Sequence, residues 1–256
     1  MNPTVMRATR PDLVLVHAFP LNAAMWDEQV ASLGDVCRVH ALNLPGFGGE
    51  PEFAGDALTM IHAAEHVMQE IAKRGIERCV LGGLSMGGYT AFECLRLFGN
   101  RIEGLILADT KATPDSREAR IGRRASAERV GRGDVKGYIE DLLVTVLGRA
   151  TRETRPDVVE RVRGLMRAAP PRSIIAALIG MAGRRDSSDL LSSITAPTAL
   201  IYGNEDGITT VEEGQMMAAA IPGATMTIIE GAGHLANIDA PDAFNDAVRA
   251  LLQRIA

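Results

Sequence analysis

A serine between two glycines, where an apolar run gives way to a helical pattern, constrains the fold of this chain most. Residues 83–87 read Gly-Leu-Ser-Met-Gly, after the apolar run 79–81 and before a helical pattern that continues to residue 98. G-x-S-x-G between a strand and a helix is typical of a sharp, strained turn, whose glycines avoid collision with the neighbouring strand and helix. The sequence therefore predicts that Ser85 lies exposed above a sheet edge, at a helix N-terminus that favours a developing anion.

Strands and helices alternate along most of the chain. Apolar runs of strand length lie at 12–17, 36–42, 79–81, 103–109, 197–203 and 224–230, and helical patterns at about 25–33, 57–74, 86–98, 210–220 and 240–255. Continuous apolar runs are typical of strands buried on both faces of a parallel sheet. The alternation predicts an α/β fold with a mostly parallel sheet flanked by helices. Residues 1–11 have room for at most one edge strand.

The alternation stops between residues 113 and 190. Helical pieces near 116–130, 134–148, 155–168 and 172–184 follow one another there without a convincing strand. Because strands and helices alternate again afterwards, one interrupted sheet domain explains the pattern better than two consecutive domains. We expect a core formed by residues 1–112 and 191–256, with an all-helical cap at 113–190.

Charge and cysteine content narrow the class of protein. The net charge of −5 argues against nucleic acid as the main partner, because phosphate binding relies on clustered Lys and Arg. Three cysteines are too few and too dispersed for a disulfide framework or a zinc site. No leader pattern and no run of about 18 apolar residues is present, so we expect a cytoplasmic protein without a membrane partner. The oligomeric state is left open.

Six arginines nevertheless gather within the predicted cap. Two glutamates, Glu118 and Glu128, lie among them. The group is either a solvated helix face or a patch that steers an anionic substrate. Its members are Arg117, Arg120, Arg123, Arg124, Arg129 and Arg132.

A serine hydroxyl needs a base to take its proton and an acid to orient that base. Of five histidines, His234 is the favoured base because it follows the last predicted strand, between flexible glycines. Loops at the carboxyl ends of parallel strands line the ligand crevice. The acid should lie between serine and histidine in the chain. Asp206, after the first strand beyond the cap, is favoured over Asp109, with Glu205 as the residual alternative.

Acyl transfer also needs hydrogen-bond donors for the oxyanion. The backbone N–H of Met86, directly after the serine, is one candidate, and the N–H of Phe19 in the loop after the first strand is the other. Several neighbouring side chains could wall a substrate pocket, or could simply pack in the core. They are His17, Leu21, Trp26 and Phe47.

Taken together, these segments resemble the α/β-hydrolase superfamily over essentially the whole chain. The motifs that carry the resemblance are 17–20, 43–48, 83–88, 203–206 and 231–234. Softer features at 107–110 and 234–241 resemble small carboxylesterases and 3-oxoadipate enol-lactonase-like enzymes, which carry a four-helix cap. Two departures are Ala18, where the family usually has glycine, and a first hairpin that is mostly missing.

The resemblance implies a serine hydrolase that cleaves a small carboxylic ester or lactone through an acyl-enzyme, without a metal or organic cofactor. A cofactor-free perhydrolase, a C–C bond hydrolase or an acyltransferase would use the same triad. A non-catalytic ligand receptor shares the fold. Dehalogenases and epoxide hydrolases of this fold use an aspartate nucleophile, so Ser85 disfavours both.

Overall fold

The computed structural model describes residues 10–255. Within that range, six strands form one sheet in the order β2-β1-β3-β4-β5-β6, and every neighbouring pair is parallel. The strands are β1 (Asp12–Val16), β2 (Arg38–Leu42), β3 (Cys79–Leu84), β4 (Ile102–Ala108), β5 (Thr198–Gly203) and β6 (Thr225–Ile229). The predicted α/β fold is confirmed. The edge strand allowed for residues 1–11 falls almost entirely outside the described residues.

Helices cover both faces of the sheet, because side chains of successive strand residues point to opposite faces. The core helices are α1 (Asp27–Leu33), α2 (Met60–Lys73), α3 (Met86–Phe98), α9 (Val211–Ala220), α10 (Ala236–Asp239) and α11 (Pro241–Gln253). Val14 and Leu81 contribute to a core cluster shared with α2 and α3, whereas Leu13 and Val80 contribute to one shared with α1 and α11. Short 3₁₀ turns lie at Ala23–Trp26, Gly99–Arg101 and Ser188–Ser193.

Five further helices lie between β4 and β5, in a stretch that we call the insertion. They are α4 (Arg117–Gly131), α5 (Val135–Val146), α6 (Arg149–Thr154), α7 (Pro156–Arg167) and α8 (Pro171–Ala182). Proline fits the first turn of α7 and α8, because the N–H that it lacks has no partner there. The separate helix α6 was not expected, since the predicted helical pieces end at residue 148 and begin again at residue 155. The cap bounds 113–190 stay a prediction.

No helix in residues 10–255 has the length and apolar character needed to cross a membrane.

Candidate active site

Ser85 lies at the junction of β3 and α3, in a backbone conformation that non-glycine residues rarely adopt. Its φ is 55° and its ψ is −112°. Such a residue stores about 1–3 kcal/mol of strain, which the surroundings must hold in place. A Cβ at Gly83 would lie 2.2 Å from the carbonyl of Gly87, and one at Gly87 would lie 2.2 Å from the Val16 oxygen on β1. Both glycines are therefore required by close backbone approach, as the motif predicts.

His234 and Asp206 form a buried hydrogen-bonded pair. The distance from His234 Nδ1 to Asp206 Oδ2 is 2.7 Å, and the two side chains are 4% and 0% exposed. Burial alone would raise the pKa of Asp206, but the charge and hydrogen bond of His234, with help from Thr209, hold it below its ordinary value. An ionised carboxylate only accepts, so Nδ1 carries the ring proton and Nε2 is free to accept another.

The loop that carries Asp206, residues 204–210, is called the acid loop. Thr209 Oγ1 donates to Asp206 Oδ2 at 2.6 Å, and the N–H of Ile208 donates to Oδ1 at 2.7 Å. These hydrogen bonds within the acid loop orient the carboxylate independently of His234. Sequence reasoning missed Thr209, although a hydroxyl three residues after an aspartate is a recognised local hydrogen-bonding pattern.

The alternative acids contact other partners. Asp109 is fully buried with φ 41°, and its oxygens accept from the N–H groups of Gly203 at 2.9 Å and Ala236 at 3.4 Å. Burial, followed by the charge of Asp206, raises the pKa of Asp109 well above its ordinary value. Glu205 accepts the N–H of Arg149 at 2.6 Å. In the described part of the chain, Asp206 is the carboxylate that contacts His234.

The segment Asp109–Thr110 joins the three loops that hold the predicted triad. Thr110 Oγ1 donates to the backbone oxygen of Ser85 at 2.9 Å. Asp109 holds Gly203, the last residue of β5 before the acid loop, and Ala236, two residues after His234. Across residues 10–255 no hydrogen bond joins Ser85 Oγ to His234. Catalytic hydrogen bonds of this kind are often long or poorly aligned before substrate binds.

The backbone donors predicted for the oxyanion lie in the loop after β1 and at the start of α3. Met86 is the first residue of α3, where N–H groups have no partner inside the helix. The neighbouring Ala18 N–H points to Met25 Sδ at 3.2 Å. Neither Phe19 nor Met86 donates its N–H to a protein acceptor within the described residues. Their role as an oxyanion hole stays a prediction.

The side chains considered for a pocket wall are packed in the core. His17, Leu21, Trp26 and Phe47 are each at most 1% exposed. His17 Nδ1 donates to the Ala18 oxygen at 2.9 Å while Nε2 accepts the N–H of Leu44 at 3.0 Å, so neither ring nitrogen is left for a substrate. Burial lowers the pKa of His17 to about 4. Phe47 packs edge-on against this ring, with the centroids 5.2 Å apart. The pocket role stays a prediction.

The link between α5 and α6, residues 146–149, is seated on the loop that carries His234. We call residues 230–235 the histidine loop. The oxygen of Val146 accepts the N–H of Leu235 at 2.9 Å. Asp239 Oδ2 accepts two N–H groups, from Gly148 at 2.8 Å and from Gly233 at 2.7 Å. One carboxylate oxygen therefore joins the insertion to the histidine loop. The sequence carried no sign of this contact.

The three cysteines lie away from this site, as buried free thiols. Burial raises the pKa of Cys37 to about 11 and that of Cys79 to about 12, so both stay protonated and unreactive near neutral pH. No cluster of three or more His, Cys, Asp or Glu residues between 10 and 255 has a geometry that could hold a metal ion.

The chain is similar in sequence to known proteins over nearly its whole length. A family model described as "Alpha/beta hydrolase family" matches residues 13–247. A pimeloyl-[acyl-carrier protein] methyl ester esterase of Aeromonas hydrophila is 27% identical, over 93% of this chain and 94% of the relative. The 3-oxoadipate enol-lactonase 2 of Acinetobacter baylyi is 26% identical, over 98% and 92%.

Solved structures superpose over nearly the full length. A thermophilic esterase from Thermogutta terrifontis, with malate bound, has a TM-score of 0.93 and 39% identity, covering 96% of this chain and 91% of that chain. The enol-lactonase of Burkholderia xenovorans LB400 has a TM-score of 0.88 and 25% identity, covering 97% and 93%.

Proposed function

Since the chain belongs to the alpha/beta hydrolase family, we propose that it is a serine hydrolase that cleaves small carboxylic esters or lactones through an acyl-enzyme. The observation that carries the proposal is the buried 2.7 Å pair between His234 and Asp206, at the sheet edge where Ser85 follows β3. The relatives named above, esterases and enol-lactonases, confirm the resemblance expected from the sequence and support this substrate class.

In the proposed mechanism, Ser85 Oγ attacks the ester carbonyl while His234 Nε2 takes its proton. Asp206 keeps the ring in the required tautomer and stabilises the imidazolium that forms. The N–H groups of Phe19 and Met86 donate to the oxyanion. His234 then protonates the leaving alcohol, or the ring oxygen of a lactone, and the acyl-enzyme remains. Water activated by His234 releases the acid and restores Ser85.

The electrostatics suit this division of roles. Asp206 is ionised at neutral pH because His234 and Thr209 lower its pKa, so the negative charge needed beside an imidazolium is present before substrate binds. Asp109 is the reverse case, a buried carboxyl whose pKa is raised, and it contacts backbone N–H groups rather than the imidazole. We assign Asp109 to positioning the loops and Asp206 to the triad.

A p-nitrophenyl ester assay tests the proposal. Wild type should turn over p-nitrophenyl acetate or butyrate, and Ser85→Ala should lower kcat by at least about 10³-fold, in the range seen when a triad nucleophile is removed. Ser192→Ala, an exposed serine in the 3₁₀ turn Ser188–Ser193, is the matched control and should retain full activity. Labelling by a fluorophosphonate should require Ser85. Equal turnover by wild type and Ser85→Ala would reject the proposal.

The alternatives on the same triad differ in the acceptor of the acyl group or in the bond that is cleaved. Product analysis with water, hydrogen peroxide or an added alcohol separates hydrolysis from perhydrolysis and acyl transfer, and a β-diketone substrate tests C–C cleavage. A ligand-binding receptor of this fold would bind an ester with negligible turnover.

A further inference from the structure

An open cavity of about 350 Å³ lies between the insertion and the core. Tyr89 and Ile208 belong to its wall. The N–H of Tyr89 donates to the Ser85 oxygen at 3.1 Å, and the N–H of Ile208 donates to Asp206 Oδ1 at 2.7 Å. The cavity therefore begins one helical turn from the serine and at the acid loop.

The charged groups of the cavity do not cancel. Asp115 binds two guanidinium groups, Arg123 at 2.6 Å and Arg184 at 2.5 Å, so this cluster carries one surplus positive charge. Lys111, also in the wall, is neutralised by Glu213 at 3.1 Å. Unbalanced charge in a partly buried place is unfavourable unless a counter-charge enters. An anionic group of a ligand would supply it.

Arg123 is the member of this cluster with unused donors. Its Nε donates to Asp115 and its Nη1 contacts Met181 Sδ at 3.5 Å, whereas Nη2 has no partner among residues 10–255. Arg184, in contrast, is 4% exposed, stacks on Tyr89 at 4.1 Å and donates to the Thr113 oxygen. Arg123 lines the cavity with a side chain that is 22% exposed, and so remains accessible to a ligand.

Two phenols complete the set of donors. Tyr89 and Tyr138 line the same cavity as Arg123. Burial raises the pKa of Tyr138 to about 12, so its hydroxyl stays protonated and can donate. The hydroxyls of both tyrosines lack a protein partner in the described range. A guanidinium edge with nearby phenol hydroxyls matches a carboxylate, which accepts charge-assisted hydrogen bonds well.

The other arginines of the group noted in the sequence have different surroundings. Arg117, Arg120, Arg124 and Arg132 are exposed, and Arg129 pairs with Asp134 and Asp141 at 2.6 Å each. Exposed charges are screened by salt and contribute little to binding. The group thus divides into a solvated face and one inward residue, Arg123.

We propose that Arg123 binds a free carboxylate of the substrate in this cavity, so that the enzyme prefers esters or lactones that carry a second, ionised carboxyl group. The chain between the two carboxyl groups would run along Leu142, Leu178 and Ile208, the apolar part of the wall. The inference rests on the proposed function, because it assigns the substrate class of that same site.

Paired half-esters and diesters test this inference. The kcat/KM values for monomethyl and dimethyl esters of succinic, glutaric and adipic acid are measured for wild type, Arg123→Gln and Arg124→Gln. At the best chain length, wild type should favour the monomethyl ester by about 10- to 100-fold, as expected for a hydrogen bond to a charged group. Arg123→Gln should remove most of that ratio, and Arg124→Gln, the exposed neighbour, should keep it. Circular dichroism checks folding, and Arg184 still neutralises Asp115 in the variant.

A second readout does not depend on turnover of the half-ester. Glutarate should inhibit hydrolysis of p-nitrophenyl acetate competitively, with an inhibition constant about 10-fold higher in Arg123→Gln. Equal kcat/KM for half-esters and diesters in wild type, or the same ratio in both variants, overturns the carboxylate site while Ser85-dependent hydrolysis stands. Absence of any Ser85-dependent ester turnover overturns the proposed function instead.

Discussion

Gly148→Ala tests whether the link between α5 and α6 holds the histidine loop in its working position. Gly148 has φ −60° and ψ 154°, a conformation that alanine adopts without strain, so the change acts through volume alone. The added Cβ would lie 2.3 Å from the backbone oxygen of Gly231. Since both groups belong to the backbone, no side-chain rotation relieves the contact.

The displacement can be worked out from this contact. An ordinary contact begins at 3.4 Å, so the two segments must move apart by about 1.1 Å, the difference between 3.4 and 2.3 Å. Gly231 lies three residues before His234, and Asp239 holds both segments through one oxygen. A misplacement of about 1 Å in a reacting group costs on the order of 10²-fold in rate. We expect kcat for p-nitrophenyl butyrate to fall by about that factor.

The matched control is Gly164→Ala, in α7, where an added Cβ meets nothing within 4 Å. This variant should keep wild-type kcat and raise the free energy of unfolding by about 0.5–1 kcal/mol, because glycine is unfavourable within a helix. The kcat and KM of both variants are measured beside thermal unfolding. If Gly148→Ala keeps kcat within threefold of wild type, the link does not position the histidine loop and the reasoning is refuted.

Three further expectations concern buried titratable side chains. Asp206→Asn should lower kcat by about 10⁴-fold without unfolding the protein, because an amide no longer selects the required tautomer of its histidine partner; near-wild-type turnover would remove this residue from the triad. Asp115→Ala leaves Arg184 buried without its carboxylate partner and should lower the free energy of unfolding in urea by about 3–5 kcal/mol. Asp141→Ala, at a carboxylate that is 71% exposed, should lower it by less than about 1 kcal/mol, and equal losses in the two variants would contradict the argument. The pKa of His17 is about 4 in the folded protein and 6.5 in the unfolded chain, so only the unfolded chain binds a proton between these values. About 3 kcal/mol of folding stability is therefore lost as the pH falls from about 6.5 to 4. If the free energy of unfolding of His17→Asn fell equally steeply over this pH range, the expectation would be contradicted.

The sequence was sufficient for the six strands and for the loops that carry the chemistry, but not for the separate helix α6. The four central strands are buried apolar runs, and the edge strands β2 and β6 keep several apolar residues although they are partly exposed, so all six were found from local pattern alone. Their carboxyl ends lie at one edge of the sheet, which brought Asp206 and His234 to the same place in the prediction and in the structure. Asp206 was preferred to Asp109 from position alone, and the contact with the imidazole supports that preference.

Features that depend on distant partners could not be predicted. Gly148 approaches Gly231 across a long stretch of chain, and no local pattern marks such a contact. Spacing alone does not separate Arg123 from Arg124 on α4, because the distinction comes from Asp115 and from a residue beyond α8, Arg184. His17 was a plausible pocket residue at a strand end, yet two backbone groups use both of its ring nitrogens.

The insertion is a long loop whose two ends lie close together. Strands β4 and β5 pair side by side, Leu105 with Thr198, although the whole insertion separates them. The first and last helices of the insertion, α4 and α8, pack against each other and so bring its two ends together. Each doubling of a closed loop costs only about 0.6 kcal/mol. The loops between these helices can therefore lengthen or shorten at little cost in chain entropy, provided that the link at residues 146–149 keeps its contacts with the histidine loop.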